Sequence, residues 1–333
     1  MSIITTVGSG KNMSFGEIFI ILVPIFFVIL LGFIAGNRGI FNKETSKGIN
    51  TLVTKIALPA HLFVGITTTS RETIFDKASF LGALLIGVIG FFIVLLLITK
   101  WTTKYDFVTS TMFSLNSTQP TFAFMGIPVM GSIFGAEAIA IPIALMGIIV
   151  NAVLDPLSTI LGTVGSRNTD SESAENKESL FKVTMKSIGH GLTEPLACVP
   201  IIGLILVLVF NFHLPELGEK SLDQIGDVVS GVALFAVGVT IGINKIKLSF
   251  SAFSIAILKA VVQPLVMVGI ALALGLGHND FVQAVLLVSF PGSAVATMIA
   301  IRFKSLETEV ASAFVISAIL SIITLPFLIT ALM

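Results

Sequence analysis

Apolar residues run along this chain in long blocks, each closed by a short polar turn. A stretch of about 20 apolar residues crosses a bilayer as a helix. Such stretches recur near 16–36, 48–69, 78–99, 107–134, 137–162, 187–211, 223–243, 252–274, 281–302 and 306–331, which predicts ten transmembrane helices. Two of them are interrupted. The fourth reads FVTSTMFSLNSTQPTFAFMGIPVMGSIF, with a polar run over 114–121 that contains Pro120. The ninth reads FVQAVLLVSFPGSAVATMIAIR, with Ser289, Pro291, Gly292 and Ser293 at its centre. Proline removes a backbone donor and clashes with the carbonyl four residues back, and glycine brings no side chain, so both spans are expected to open midway. An unpaired backbone group in hydrocarbon costs several kcal/mol, so such breaks survive only where protein or a water-filled cavity lines them.

The longest connection, TVGSRNTDSESAENKESLFK over 163–182, divides the spans five and five, giving repeats at 1–162 and 183–333. Prolines recur across this divide. Pro24 answers Pro200, Pro120 answers Pro291 and Pro156 answers Pro326, at separations of 176, 171 and 170. Pro59 maps at 172 onto Gly231, another helix breaker. An odd number of spans per half turns the second half upside down, so the expectation is an inverted repeat. Paired interruptions at corresponding places in two halves point to the binding site of a secondary transporter.

Composition narrows the class. At 55% hydrophobic, 11% charged and a mean hydropathy of +1.03 over 333 residues, the chain is an all-α polytopic membrane protein, and the lipid bilayer is its solvent. The apolar run after residues 1–15 is too long for a signal-peptide core and is read as the first span. Net charge is zero and basic residues form no long run, which leaves no footprint for nucleic acid. The single cysteine, Cys198, sits in PLACVPII and is read as a packing residue. Gly8-Ser-Gly-Lys11 lacks the spacing of a phosphate loop. No zinc ligand set, nucleophile elbow or dinucleotide fingerprint is present in the sequence, so the expectation is no enzyme, no metal and no cofactor. Of the 19 Lys and Arg residues, thirteen fall on the side facing the linker, including Arg38, Lys43, Lys100, Arg302 and Lys304. Four, Lys11, Arg71, Lys77 and Lys220, fall on the other. The positive-inside rule then puts both termini outside.

The ordered motifs resemble the auxin efflux carrier family, which includes plant PIN-type auxin carriers and bacterial malate and malonate permeases. Pro120-Thr-Phe-Ala-Phe-Met-Gly-Ile-Pro128 resembles its span 4 stretch. Glu194-Pro195, Leu214-Pro215 and Val232-Ala-Leu-Phe-Ala-Val-Gly238 are similar to its span 6 to 7 pattern. Lys259 with Pro264, Pro291, and SAFVISAILSIITLPF over 312–327 resemble its last three spans. The likeness covers almost the whole chain. Thr121 stands where many members have asparagine and Gly231 where many have proline, and the short linker lacks the long regulatory loop of the plant carriers. The resemblance implies a fold like that of sodium/proton antiporters and bile-acid symporters. Spans 3–5 and 8–10 would form a transport domain with spans 4 and 9 crossing, and spans 1, 2, 6 and 7 a scaffold through which the protein is a homodimer. It also implies elevator-like motion.

Two half-helix amino termini meeting at a crossover carry free N–H groups and about half a unit of positive charge each, which suits a carboxylate. Asn116, Ser117, Gln119, Pro120 and Thr121 from span 4 and Ser289, Pro291, Gly292 and Ser293 from span 9 are the candidate binding residues. Their polar groups either hold an organic anion or satisfy the broken backbone. Lys55 and Lys259 lie on the order of 10 Å inside their spans, where each either snorkels to the surface or counters the anion. His61 either titrates or donates to a neighbouring helix. Asp155, Glu194 and Asp227 are the carboxylates nearest apolar segments and the candidates for proton coupling. Gly32-Phe-Ile-Ala-Gly36 and Gly238-Val-Thr-Ile-Gly242 suit close packing within one protomer or across a dimer.

These expectations converge on a plasma-membrane permease for a small organic anion, with a dicarboxylate such as malate or malonate as substrate. The alternatives are an efflux uniporter of an aromatic or monocarboxylic acid and, from another class, an anion-sensing receptor or channel-like pore. Moving a dianion into a cell against 100 mV costs about 4.6 kcal/mol, from about 2.3 per charge. Uptake therefore calls for protons, a counter-anion or rapid metabolism.

Overall fold

In the computed structural model, residues 15–169, 179–244 and 246–333 are described, and among them every regular element is a helix. The sequence features at Gly8-Ser-Gly-Lys11, the centre of the linker and Lys245 lie outside the described residues. In chain order the helices are α1 (Phe15–Asn37), α2 (Lys43–Thr67), α3 (Arg71–Thr102), α4 (Phe107–Thr118), α5 (Phe122–Phe134) and α6 (Ala136–Ser166). The second half has α7 (Leu180–Thr193), α8 (Pro195–Phe210), α9 (Glu216–Ile243), α10 (Phe250–Ala273), α11 (His278–Ser289), α12 (Ala294–Arg302) and α13 (Glu307–Leu332).

Seven of these helices, α1, α2, α3, α6, α9, α10 and α13, are long and apolar enough to cross a membrane, and α7 with α8 passes as an eighth. The chain is a polytopic helical membrane protein. The sequence expectation of one straight span over 187–211 is corrected here, because α7 and α8 meet at a bend of 66°. The cause is Pro195, which pushes the residue before it out of the α region. Glu194 accordingly has φ −62° and ψ 126°.

Among the described residues, four spans contain a π-helical turn, and proline explains three of them. Pro59, Pro156 and Pro264 lack an N–H for the carbonyl four residues back and collide with it. The helix widens just upstream, at Val53–Ala57, Ile149–Leu154 and Leu258–Val262. The bonds there reach five residues, as from Leu58 N–H to the Val53 carbonyl and from Gln263 N–H to the Leu258 carbonyl. The fourth turn, Ile86–Gly90, has no proline behind it. It begins 172 residues before its counterpart in α10, at the spacing that relates Pro59 to Gly231.

Glycine sets the closest helix contacts. A Cβ on Gly32 would lie 2.2 Å from the Phe235 carbonyl oxygen, and one on Gly238 would lie 2.0 Å from that of Ile29. Gly36 and Gly242 meet Val239 and Phe33 in the same way. The two GxxxG patterns therefore pack α1 against α9 within one protomer. Small residues also line the contacts that α2 and α8 make with α6. A Cβ on Gly65 would meet Ala140 at 2.4 Å, and one on Gly147 would meet the Leu196 carbonyl at 2.8 Å.

Candidate functional site

The two interrupted segments meet at their interruptions. α4 ends at Thr118 and α5 starts at Phe122, while α11 ends at Ser289 and α12 starts at Ala294. Pro120 and Gly292 form an isolated antiparallel bridge, and the Thr121 N–H donates to the Pro291 carbonyl at 2.8 Å. All nine candidate binding residues are therefore brought to one place. Asn116, Ser117, Gln119, Thr121, Ser289 and Ser293 are all buried there.

Most of their polar groups are already occupied by backbone. Ser117 and Ser289 donate to the carbonyls of Phe113 and Val285, one turn back, at 2.9 and 2.5 Å. Asn116 does more. Its amide donates to the Met112 carbonyl at 2.9 Å and across the crossing to the Ala296 carbonyl at 3.3 Å, and its Oδ1 accepts from Thr297 at 3.4 Å. Ser293 caps α12 by accepting from the Val295 N–H at 3.1 Å. The Gly292 N–H is taken by Ser317 Oγ at 3.0 Å.

What remains is asymmetric. Thr121, at the N-cap position just before α5, makes no side-chain cap to that helix. The Oε1 of Gln119 and the Oγ1 of Thr118 are buried without a partner. The amino terminus of α5 is thus the open end of the crossing and that of α12 the filled one. The first N–H groups of a helix carry its partial positive charge, so the uncapped positive end at the crossing is that of α5.

The two lysines, alike in depth along the sequence, part company. Lys55 reaches both carboxylate oxygens of Glu194, at 2.5 and 2.6 Å, with 43% of its side chain exposed. Lys259 is fully enclosed, and its Nζ donates to the Val288 carbonyl at 2.5 Å and to Gln263 Oε1 at 2.8 Å. Asp155 lies beside Glu194 and keeps one buried oxygen without a partner. On one side of the crossing, Asn116, Lys259, Ser293, Thr297 and Ser317 line a seam that leaves no room for a water molecule.

A real chamber lies elsewhere. A cavity of about 450 Å³ opens between α1, α2 and α9 on one wall and α5 and α6 on the other. Pro24, Ile25, Val28, Ile127, Pro128, Ile139 and Leu234 make it largely apolar, and His61, Ser132 and Asp227 are its polar points. Ile127 lies six residues past Thr121, roughly 9 Å along the α5 axis.

Sequence reasoning missed Thr297, Ser317 and Gln263. The signal was available for Ser317, one of three serines, with Ser312 and Ser321, that punctuate an otherwise apolar span. Gln263 stands one helical turn after Lys259, a spacing also visible in the sequence, whereas only contact across the fold gives Thr297 its role.

The chain is 28% identical to the "Uncharacterized transporter YfdV" of Escherichia coli over 311 residues, covering 92% of this chain and 94% of that protein. An "Uncharacterized transporter" of Methanothermobacter thermautotrophicus is 22% identical over 311 residues, 90% and 93% of the two chains. The mouse "Lysosomal cholesterol signaling protein" is 25% identical over 271 residues, which is 78% of this chain but 30% of that one. Residues 17–329 match the model of the family described as "Membrane transport protein", and this chain belongs to that family, the auxin efflux carriers.

Proposed function

We propose that this protein is a secondary transporter of a small organic anion, a dicarboxylate such as malate or malonate. It has ten spans in two inverted repeats, with α4–α5 and α11–α12 each counted as one broken span beside the eight apolar ones. The observation that carries this reading is the open amino terminus of α5, faced by Thr121 and Gln119 and tied to the second break through Thr121 and Pro291. Backbone dipoles there receive a carboxylate without an exposed lysine.

The α3–α6 and α10–α13 helices act as the moving domain and α1, α2, α8 and α9 as the scaffold, in a homodimer of the plasma membrane with both termini outside. The small residues between α2 or α8 and α6 suit elevator-type sliding, because they let the two surfaces meet closely at Gly65 and Gly147. The chamber favours a second reading. Its apolar lining, with Asp227 as an acidic point, suits an aromatic or other monocarboxylic acid better than a compact dianion.

The test is counterflow in proteoliposomes preloaded with unlabelled malonate, malate or benzoate. A carrier exchanges the labelled acid for the unlabelled one and accumulates it transiently. A receptor gives no flux, and a pore gives flux without transient accumulation; either result rules out the carrier.

A further inference from the structure

Lys259 sits in the π-helical turn Leu258–Val262 of α10 with no part of its side chain exposed. Lysine is almost never fully buried unless paired. Its partners are neutral. Val288 is the penultimate residue of α11, so its carbonyl is one of those a helix end leaves unbonded, next to the break at Ser289. Gln263, the other acceptor, places its amide 3.5 Å from the Gly87 carbonyl in the corresponding turn of α3.

No carboxylate completes the set among the described residues. α4 carries no titratable side chain and α10 no other one. α11 has His278 and Asp280 in its first turn, with Asp280 held by Lys77, and α13 has Glu307 and Glu309 in its first turn. The charged residues of α3, namely Arg71, Glu72, Asp76, Lys77 and Lys100, lie towards its two ends.

An ammonium offers three N–H donors. Two acceptors are in place, so one position of the nitrogen is left over. Lys259 is one of the residues lining the seam that Asn116, Gly292, Ser293, Thr297 and Ser317 complete beside the crossing.

We propose that Lys259 is the proton-carrying group of this protein, gaining a proton when a carboxylate enters the crossing and losing it when the carboxylate leaves on the other side. The proposal rests on the organic-anion carrier reading above. One carboxylate and one proton enter from the same compartment, the N–H bond is the only one formed, and release reverses both events. A monocarboxylate then crosses with no net charge, and a dicarboxylate retains one negative charge.

The experiment compares wild type with Lys259→Met. Radiolabelled malonate and benzoate are offered to proteoliposomes under an inward gradient of one pH unit, with and without a protonophore, and in counterflow at equal pH. Separately, the melting temperatures of both purified proteins are measured without ligand from pH 5 to 9. Wild type should accumulate benzoate up to about tenfold per pH unit, a ratio set by one proton, and lose this with the protonophore. Lys259→Met should show no gradient-driven accumulation, and the melting difference between the two proteins should change with pH. Three results overturn the proposal: accumulation by Lys259→Met equal to wild type, wild-type uptake indifferent to the gradient, or a melting difference that is flat across pH. If wild type exchanges neither probe, the carrier reading fails instead, and the melting curves still decide whether Lys259 exchanges a proton.

Discussion

The backbone N–H of Thr121 donates to the carbonyl of Pro291 across 2.8 Å, joining the first half of the chain to the second at the point where each is interrupted. This bond takes the amide of the residue just before α5 and leaves its hydroxyl outside the helix's own cap. At the opposite break, Ser293 uses its hydroxyl on the Val295 N–H.

Thr121→Ala and Ser293→Ala should therefore differ. A hydrogen bond to a charged group is worth about 1.5–3 kcal/mol, so loss of the Thr121 hydroxyl should weaken apparent affinity about 10- to 100-fold with the melting temperature unchanged. Ser293→Ala removes a helix cap, which costs about 1 kcal/mol of stability, and should leave affinity within a few-fold. Initial rates of uptake against concentration, together with melting curves, measure both. Equal affinity losses would count against the open-end assignment.

Asn116→Ala should lower stability as well as transport. Its amide bridges the Met112 and Ala296 carbonyls inside the protein, and a hydrogen bond of this kind is worth about 0.5–1.5 kcal/mol. The expected result is a lower melting temperature and slower uptake in the same variant. Melting like wild type would mean that the bridge contributes little.

Gly238→Leu should be among the most damaging changes outside the crossing. Overpacking of this kind costs about 1–3 kcal/mol or more, and here the obstacle is the Ile29 backbone, which cannot rotate away. Yield of folded protein after extraction, compared with Gly269→Leu where a Cβ meets nothing within 4 Å, isolates the packing effect.

Ser132→Trp should close the chamber of about 450 Å³. Ser132 is exposed at the chamber wall, and its hydroxyl bonds the Pro128 carbonyl one turn back on α5. Uptake should fall at least tenfold with little change in melting temperature. Undiminished uptake would show that substrate reaches the crossing by another route.

The breaks themselves were plain in the amino-acid order, because polar residues and proline within an apolar span have one physical consequence in lipid. The side-chain roles were not. Asn116 and Gln119 are both buried amides in one polar run, yet one is bonded across the crossing and the other keeps a free oxygen, a difference set by which residues of α12 come opposite. Lys55 and Lys259 likewise stand at similar depths beside proline-induced turns. One finds Glu194 at the bend before Pro195, and the other finds the end of α11 and the neutral amide of Gln263. The bend was not anticipated as a break in the span, since apolarity on both sides of Glu194 hid the effect of Pro195 on its neighbour.

The bridge between Pro120 and Gly292 has a consequence for how far it can grow. The next rung would call on the amide of Pro291 on one side, which proline lacks, and on that of Gln119 on the other, which the Leu115 carbonyl already holds. The contact is held to a single rivet that can neither zip into a ribbon nor slip in register. Its two half-helix pairs are thereby joined at a single point.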